Sequence, residues 1–192
     1  MEKAKLNDNF RVVVIGGSAG SLEVIINILD SLVNNRLAII LVMHRKVSGF
    51  SSLANLLNMK TTVIVKEAEE KEFIMPGYIC IAPADYHLLI EGNGSISLDY
   101  SEKVNFSRPS IDVTFECAAD VFGDRVIGIL LSGGNSDGVA GLKAIRKAGG
   151  ICVVQDPASA LVSYMPQHAI NEMEPDKTLK DSEIADFLND IP

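Results

Sequence analysis

Short aliphatic runs alternate with segments of helical periodicity along most of this 192-residue chain, and that alternation limits the folds it can adopt. The runs at residues 11–15 and 37–43 are apolar at nearly every position, which is typical of strands buried on both faces. Between them, residues 22–32 place their apolar side chains on one helical face. The pattern predicts an α/β fold with a doubly wound, mostly parallel sheet flanked by helices.

The remaining elements follow from the same patterns. Further strands are predicted at 61–65, 126–131 and 151–154, and further helices at 52–57, 113–121, 138–148, 165–171 and 182–188. Residues 76–100 differ, because they hold short alternating runs between turn signals, which predicts an antiparallel hairpin excursion at one edge of the sheet. No repeat or linker interrupts the chain, so we expect a single domain over residues 1–192 with a core of about 11–190.

Charge and cysteine usage exclude several classes of function. The formal net charge of −8 argues against a nucleic-acid partner, which needs a basic surface. Cys80, Cys117 and Cys152 lie far apart and form no CxxC pair, which predicts free thiols in a reducing compartment. No apolar run approaches the ~20 residues of a membrane helix, and the first ten residues do not look like a signal peptide. We therefore expect a cytoplasmic protein without membrane insertion.

Three polar residues stand where three of the predicted strands end. Ser18 follows the first strand in a glycine turn, His44 ends the second, and Asp137 lies in a second glycine turn after the strand at 126–131. In doubly wound sheets, the catalytic and ligand-binding residues lie just past the carboxyl ends of the strands. A serine nucleophile needs an imidazole to take its proton and a carboxylate to orient that imidazole. The three residues therefore predict a Ser–His–Asp catalytic triad.

The glycine turns also supply candidates for binding the oxyanion. Ser18 is predicted near the N-terminus of a helix, whose unpaired amides favour negative charge. Backbone N–H groups beside Ser18, at Ala19, and at Gly133 and Gly134 are candidate oxyanion donors.

Each member of the predicted triad has a structural alternative. Ser18 is a plausible N-cap of the following helix, His44 a plausible structural histidine, and Asp137 a plausible cap of the helix that begins at Gly138. Each of these structural roles stays open for its own residue. The triad as a whole is excluded only if all three residues have purely structural roles. Three other polar residues are expected to be structural: His87, His168 and the turn residue Asp85.

A phosphate-binding loop is the rival interpretation of the serine turn. The sequence GGSAGS does not fit G-x-G-x-x-G, and G-x-x-x-x-G-K-[ST] occurs nowhere in the chain. A dinucleotide fold also favours an acidic residue after the second strand, where this chain has His-Arg-Lys. The turn therefore favours display of Ser18 over a phosphate cradle.

Six stretches carry a resemblance to a known family. They read VVVIGGSAGSLE, ILVMHRKVSGF, VKEAEEKEFIMPGYICIAPADYHLLI, RPSIDVTFECAA, GILLSGGNSDGVAGLKAIRKAGG and QDPASALVSYMPQHAI. In this order and spacing, the chain from residue 11 to about 170 resembles the catalytic domain of the CheB-type chemotaxis protein-glutamate methylesterases. The serine turn alone is a weak signal, whereas the ordered set is specific.

The resemblance implies an activity and its residues. It implies hydrolysis of glutamate γ-methyl esters on the cytoplasmic helices of chemoreceptors, with release of methanol and with glutamine deamidation as a related activity. Ser18 matches the nucleophile, His44 the base and Asp137 the orienting carboxylate. No metal and no cofactor are implied. Arg45, Lys46 and Arg108 are candidates for a basic rim that meets a glutamate-rich receptor helix, against the alternative of ordinary surface charge.

The chain departs from the family pattern at several positions. Ala19 replaces a threonine that commonly follows the serine, Gly134 stands where the family often has methionine, and RKVSGF replaces a proline-rich segment. Family members typically carry an N-terminal receiver domain, whereas only ten residues precede the first strand here. We therefore expect no receiver domain in this chain, and either constitutive activity or regulation in trans by a receiver or response-regulator protein.

Two main classes of function remain for this sequence, with nucleotide binding as the least favoured third. The first is a serine esterase acting on methylated receptor glutamates. The second is a catalytically slow signalling or binding module of the same fold. An intact set of Ser18, His44 and Asp137 favours the enzyme, and methanol release from a methylated receptor separates the two.

Overall fold

The computed structural model describes residues 10–45 and 53–192 of the chain. Helices and strands alternate over most of that length. In chain order the elements are β1 (Val12–Gly17), α1 (Ser21–Ser31), β2 (Ala38–Met43), α2 (Leu53–Asn58), β3 (Ile64–Glu67), β4 (Tyr78–Ile81), β5 (His87–Ile90), β6 (Ile96–Asp99), α3 (Ile111–Phe122), β7 (Val126–Leu130), α4 (Val139–Lys147), β8 (Ile151–Gln155), α5 (Tyr164–Glu172), β9 (Lys177–Leu179) and α6 (Asp181–Asn189).

Seven strands form one parallel sheet in the order β3-β4-β2-β1-β7-β8-β9. Successive side chains of a strand point to opposite faces, so β1 contributes Val12 and Val14 to one apolar core and Val13 and Ile15 to the other. The first core is covered by α3, α4 and α5, and the second by α1, α2 and α6. Continuous apolar strands are the consequence of this two-sided burial, and the doubly wound prediction is confirmed.

The predicted antiparallel hairpin is present as a separate two-stranded sheet of β5 and β6. Its apolar face, with Leu88, Ile90 and Ile96, packs into the core beneath α3. The first short run of the same segment behaves differently: β4 is a parallel strand of the main sheet between β2 and β3. Three of its four residues are buried, so its apolar character reflects two-sided burial and not a hairpin face.

Other differences lie at the sheet edges. The third strand begins at Ile64, three residues later than predicted, because this edge strand is half exposed and has little apolar signal. The edge strand β9 was not predicted, since its three residues are mostly exposed and polar. The predicted helix at 52–57 is α2, and its first predicted residue lies outside the described part of the chain.

The strand register brings the predicted site residues to one edge. Gly17 at the end of β1 pairs with Met43 at the end of β2, and Gly16 pairs with Leu130 at the end of β7. The residues that follow these three strands therefore meet above the centre of the sheet. No helix in the described residues is long and apolar enough to span a membrane.

Candidate active site

The turn between β1 and α1 holds Ser18 by its backbone. The Ser18 amide donates to the Ser132 carbonyl at 2.9 Å, and the Ser18 carbonyl accepts from the amide and the hydroxyl of Ser21 at 3.1 and 2.7 Å. Gly20 has a φ of 83°, a conformation that suits glycine, and it occupies the N-cap position of α1 without a side-chain cap. Ser18 is thus not the helix N-cap. Its half-exposed side chain makes no hydrogen bond within the described residues.

His44 lies beside this turn on the neighbouring strand. Its amide donates to the carbonyl of Gly17 at 3.1 Å, which continues the ladder between β1 and β2 and sets His44 next to Ser18. Its Nε2 is 2.7 Å from Oδ2 of Asp137. The structure therefore brings His44 and Asp137 into contact and sets the backbone of His44 beside the turn that holds Ser18.

Asp137 is fully buried and its carboxylate is surrounded by donors. Besides His44, these are the Ser110 hydroxyl (2.9 Å), the Ile111 amide (2.7 Å), the Asp112 amide (3.1 Å) and the Asn105 side-chain amide (3.1 Å). Two of these donors are the first backbone amides of α3, whose positive end favours a carboxylate. Asp137 thus accepts from the first turn of α3, whose N-cap is Ser110, and the alternative in which it caps the helix after Gly138 is wrong.

Two opposing effects act on the pKa of Asp137. Burial raises it, whereas the hydrogen bonds from His44, Ile111, Asp112 and Asn105 lower it, and the net result is a pKa below the ordinary value. The carboxylate is therefore ionised at neutral pH, as a group that orients and stabilises a charged imidazole must be.

A second buried carboxylate lies beside the first. The Asn105 side-chain amide donates to both Asp112, at 2.7 Å, and Asp137, and Asp112 accepts the Gly141 amide at 2.8 Å. Burial and the neighbouring Asp137 raise the pKa of Asp112 to about 6, and the Gly141 hydrogen bond opposes this rise. Asp112 therefore takes up a proton at a higher pH than Asp137 does.

The position of Asp137 decides which nitrogen of His44 is the base. Because Nε2 faces a carboxylate, it carries the proton in the neutral ring, and Nδ1 keeps its lone pair. Nδ1 faces the other way and lies 3.3 Å from the hydroxyl oxygen of Ser107. Nδ1 is accordingly the nitrogen of His44 that can accept a proton.

The predicted oxyanion donors divide into two groups. The Gly133 amide already donates to the Val162 carbonyl at 3.0 Å, so it is not available to an oxyanion in this structure. The amides of Ala19 and Gly134 make no hydrogen bond within the described residues. These two amides remain the candidates for an oxyanion hole.

The predicted basic rim is only partly free. Arg108 donates to Asp85 at 2.8 Å and to the carbonyls of Tyr100 and Ser101. Its guanidinium therefore links two turns, and its charge is already paired. Arg45 pairs with Glu67. Both arginines nevertheless line a cavity of about 280 Å³ beside the histidine, whose remaining lining residues are His44, Lys103, Phe106 and Ser107. Lys46 lies outside the described residues.

The residues that were expected to be structural have structural partners. His87 is buried, with Nε2 3.0 Å from the Glu102 carbonyl and Nδ1 accepting the Ser110 amide at 3.1 Å. His168 stacks on Tyr164, and Asp85 has a φ of 68° in its turn.

The site contains residues that sequence analysis missed. Ser107 faces His44, while Asn105 and Ser110 hold Asp137. They lie in a loop without periodicity, and only the RPS stretch at residues 108–110 of the resemblance pointed to it. Within the described residues, no group of three or more His, Cys, Asp or Glu side chains is arranged to hold a metal ion.

The arrangement has the chemistry of nucleophilic catalysis. A half-exposed serine on a tight turn stands next to an imidazole whose proton-accepting nitrogen faces the open side of the site. The imidazole is held by an ionised, buried carboxylate, and two free amides lie in the adjacent glycine turns.

Comparisons with known proteins point to one family. Residues 13–188 match the model of the CheB methylesterase family. A putative protein-glutamate methylesterase/protein-glutamine glutaminase of Leptospira interrogans is 42% identical over 181 residues, covering 94% of each chain. A protein-glutamate methylesterase/protein-glutamine glutaminase of Chromohalobacter salexigens is 38% identical over 171 residues, which are 88% of this chain and 48% of that protein.

A solved structure shows the same fold. The crystal structure of the Thermotoga maritima CheB methylesterase catalytic domain superposes with a TM-score of 0.89 and 33% identity, covering 94% of this chain and 98% of that one. With the family model matching nearly the whole chain, this protein belongs to the CheB methylesterase family.

Proposed function

We propose that this protein is a serine esterase that hydrolyses glutamate γ-methyl esters on the helices of methyl-accepting chemoreceptors, releasing methanol, and that it deamidates glutamine at the same site. The observation that carries the proposal is the 2.7 Å contact between Nε2 of His44 and Asp137, which leaves Nδ1 as the proton-accepting nitrogen of a residue that lies beside the Ser18 turn. The names of the relatives, protein-glutamate methylesterase/protein-glutamine glutaminase, support the choice of ester and amide.

Acylation begins at the tip of the β1–α1 turn. Ser18 Oγ attacks the ester carbonyl carbon while its proton passes to Nδ1 of His44. Asp137 stabilises the imidazolium through the hydrogen bond at Nε2. The negative charge that develops on the carbonyl oxygen is met by the amides of Ala19 and Gly134, which are free of other partners in the described residues. Nδ1 then protonates the departing methoxide, and methanol leaves.

Deacylation reverses the roles with water as the nucleophile. Water gives a proton to Nδ1 as its oxygen bonds to the acyl carbon, and the bond to Ser18 Oγ breaks as Nδ1 returns the proton to that oxygen. The product is a free glutamate side chain. For glutamine the same steps release ammonia in place of methanol.

The rim of the site suits a helical, acidic partner. Phe106 is almost fully exposed beside the cavity, and Lys103 lines the same cavity together with Arg45, which is paired with Glu67. Apolar contact next to positive charge fits one face of an amphipathic helix that carries glutamates. The three cysteines are free thiols, which supports a cytoplasmic location for this interaction.

Methanol release tests the proposal. A receptor fragment methylated in vitro is incubated with the wild type and with Ser18→Ala, and an unmethylated fragment is the control. We expect release by the wild type and a fall of roughly 10⁴-fold or more in the variant, because the nucleophile is lost. Ser101→Ala, which removes an exposed hydroxyl bound to Asp99, serves as the matched serine variant.

Two other results would point to a different function or a different mechanism. A folded wild-type protein that binds the methylated fragment without releasing methanol would support a slow signalling or binding module. Equal release by the wild type and Ser18→Ala would remove Ser18 from the mechanism.

A further inference from the structure

A single four-residue turn touches both ends of the His44–Asp137 pair. Val104 and Ser107 close the turn by exchanging backbone hydrogen bonds at 3.2 and 2.9 Å. From this turn Asn105 donates to Asp137, while Ser107 places its hydroxyl 3.3 Å from Nδ1 of His44. The turn therefore positions one group on the carboxylate and another on the base.

The backbone of this turn is unusual. Asn105 and Phe106 have φ values of 50° and 62°, so two successive non-glycine residues adopt the left-handed conformation. Such residues cost of order 1–3 kcal/mol each and persist where the surroundings hold them, often at functional sites. Here the conformation turns Asn105 inwards to the carboxylates and brings Ser107 to the imidazole.

The Ser107 hydroxyl is held on its other side as well. The side-chain amide of Asn135 donates to Ser107 Oγ at 3.5 Å, and Asn135 itself accepts the amide of Asp137 at 3.2 Å. A hydroxyl that accepts from Asn135 still has a proton to donate to Nδ1 and a second lone pair. Ser107 is half-buried and borders the cavity of about 280 Å³ beside His44.

The chemistry assigns a role to a hydroxyl at this place. Nδ1 must exchange protons with Ser18, with the leaving methanol and then with the hydrolytic water. The water must approach from the open side of the ring, where Ser107 and the cavity lie. The volume of the cavity is several times the ~30 Å³ that one water molecule occupies in the liquid.

Resting on the function proposed above, we propose that Ser107 is a positioning residue for deacylation. In the resting enzyme its hydroxyl donates to Nδ1 of His44 and fixes the ring. In the acyl-enzyme it accepts a hydrogen bond from one O–H of the hydrolytic water, while the other O–H of that water gives its proton to Nδ1. The water oxygen bonds to the acyl carbon, and Ser18 leaves with the proton returned by Nδ1.

Rapid-mixing measurement of methanol release tests this role. In Ser107→Ala, acylation proceeds and deacylation slows, so we expect a burst of about one methanol per enzyme, followed by a steady state roughly 10-fold to 100-fold slower than in the wild type. Ser107→Thr keeps a hydroxyl and is expected to restore the steady-state rate. Ser101→Ala is the matched control and is expected to behave as the wild type.

Two kinetic outcomes would overturn the role. Wild-type kinetics in Ser107→Ala would show that the hydroxyl is not needed. Loss of the burst together with the steady state would place Ser107 in acylation, as a nucleophile or as a support for the attack of Ser18.

A second measurement needs no substrate and separates this inference from the esterase function. The ¹⁵N resonance of His44 Nδ1 is expected to shift in Ser107→Ala and to stay unchanged in Ser101→Ala. An unchanged resonance in Ser107→Ala would contradict the inferred contact even if the wild type were inactive on receptors. A wild type without methanol release would contradict only the proposed function.

Discussion

The two nitrogens of His44 face environments that differ in almost every respect. Nε2 meets a fully buried carboxylate that also accepts hydrogen bonds from Ser110, Ile111, Asp112 and Asn105. Nδ1 lies 3.3 Å from the Ser107 hydroxyl, and His44 also borders a cavity. One side is fixed before substrate arrives, and the other is open to it.

This difference separates orientation from reaction. The carboxylate must not move or change charge during turnover, so its hydrogen-bonding capacity is filled by the protein. Nδ1, on the reacting side, must take a proton from one oxygen and release it to another, so its contacts are few and exchangeable. Substitutions on the fixed side are therefore expected to affect stability and activity together, whereas those on the open side act mainly on activity.

The largest effect is expected from Asp137→Asn. An asparagine turns an NH₂ group towards groups that all donate, and it no longer selects the Nε2–H tautomer. We expect kcat to fall by roughly 10⁴-fold, the scale known for this replacement in other Ser–His–Asp enzymes, and the unfolding free energy to fall by about 1–3 kcal/mol. Steady-state methanol release and urea unfolding measure the two effects.

Asp30→Asn on the exposed face of α1 is the matched control and should change neither quantity. Activity of Asp137→Asn within tenfold of the wild type would show that the carboxylate does not orient the base.

The next effect concerns Asp112 and pH. Its pKa of about 6 in the folded protein lies above the unfolded value of about 3.9, so the folded protein binds the extra proton between these values. The stability that this adds is fully present below pH 4 and is lost as pH rises through 6. The lowered pKa of Asp137 acts oppositely, since its stabilisation is present above about pH 3.9 and is lost as pH falls through its folded pKa.

Asp112→Asn should remove the first of these pH dependences. The stability of the wild type relative to the variant is expected to fall by roughly 2 kcal/mol between pH 4 and pH 7, most of the equivalent of a pKa rise from 3.8 to about 6. Urea unfolding at a series of pH values measures it, with exposed Asp120→Asn on the same helix as control. Parallel curves for the wild type and Asp112→Asn would contradict the raised pKa.

The smallest effects distinguish two adjacent glycines on the open side. A Cβ at Gly133 would lie 2.4 Å from Cε of buried Met165 and 3.1 Å from Cβ of Ser18, whereas at Gly134 the nearest atom is 3.8 Å away on Val162. Gly133→Ala is expected to cost about 1–3 kcal/mol of stability and to disturb the nucleophile.

Gly134→Ala keeps its backbone amide and should leave stability within about 0.5 kcal/mol and kcat within a few-fold of the wild type. Thermal unfolding and methanol release of the pair provide the comparison. An equal loss of stability and activity in the two variants would contradict the observed geometry of the turn at Gly133 and Gly134.

Sequence patterns could predict the frame of the site because burial leaves a strong signal. Continuous apolar strands indicated a sheet covered on both faces, and the rule that parallel strands present their carboxyl ends together grouped Ser18, His44 and Asp137. The edge strands β3 and β9 were misplaced or missed because half-exposed residues leave little periodicity.

The contacts of the site could not be predicted in the same way. Asn105 and Ser107 reach the triad through a turn in which Asn105 and Phe106 are left-handed. Neither asparagine nor phenylalanine indicates that conformation strongly enough for it to be recognised in the sequence. One alternative had Asp137 capping the helix that follows it; the side chain instead accepts from the first amides of α3, which depends on how α3 packs against the β7–α4 turn. Likewise, only the structure shows that Arg108 is occupied by Asp85 and two carbonyls.

The central claim is that the acyl group is carried by Ser18 on the open side of His44. The most direct test is to quench the reaction with acid during turnover, digest with trypsin and locate the attached receptor glutamyl peptide by mass spectrometry. Trypsin separates Ser18, in residues 12–36, from Ser107, in residues 104–125, since it does not cleave between Arg108 and Pro109. The account predicts an ester on Ser18, more abundant in Ser107→Ala and absent from Ser18→Ala. An adduct on Ser107, or methanol release without any adduct, would contradict it.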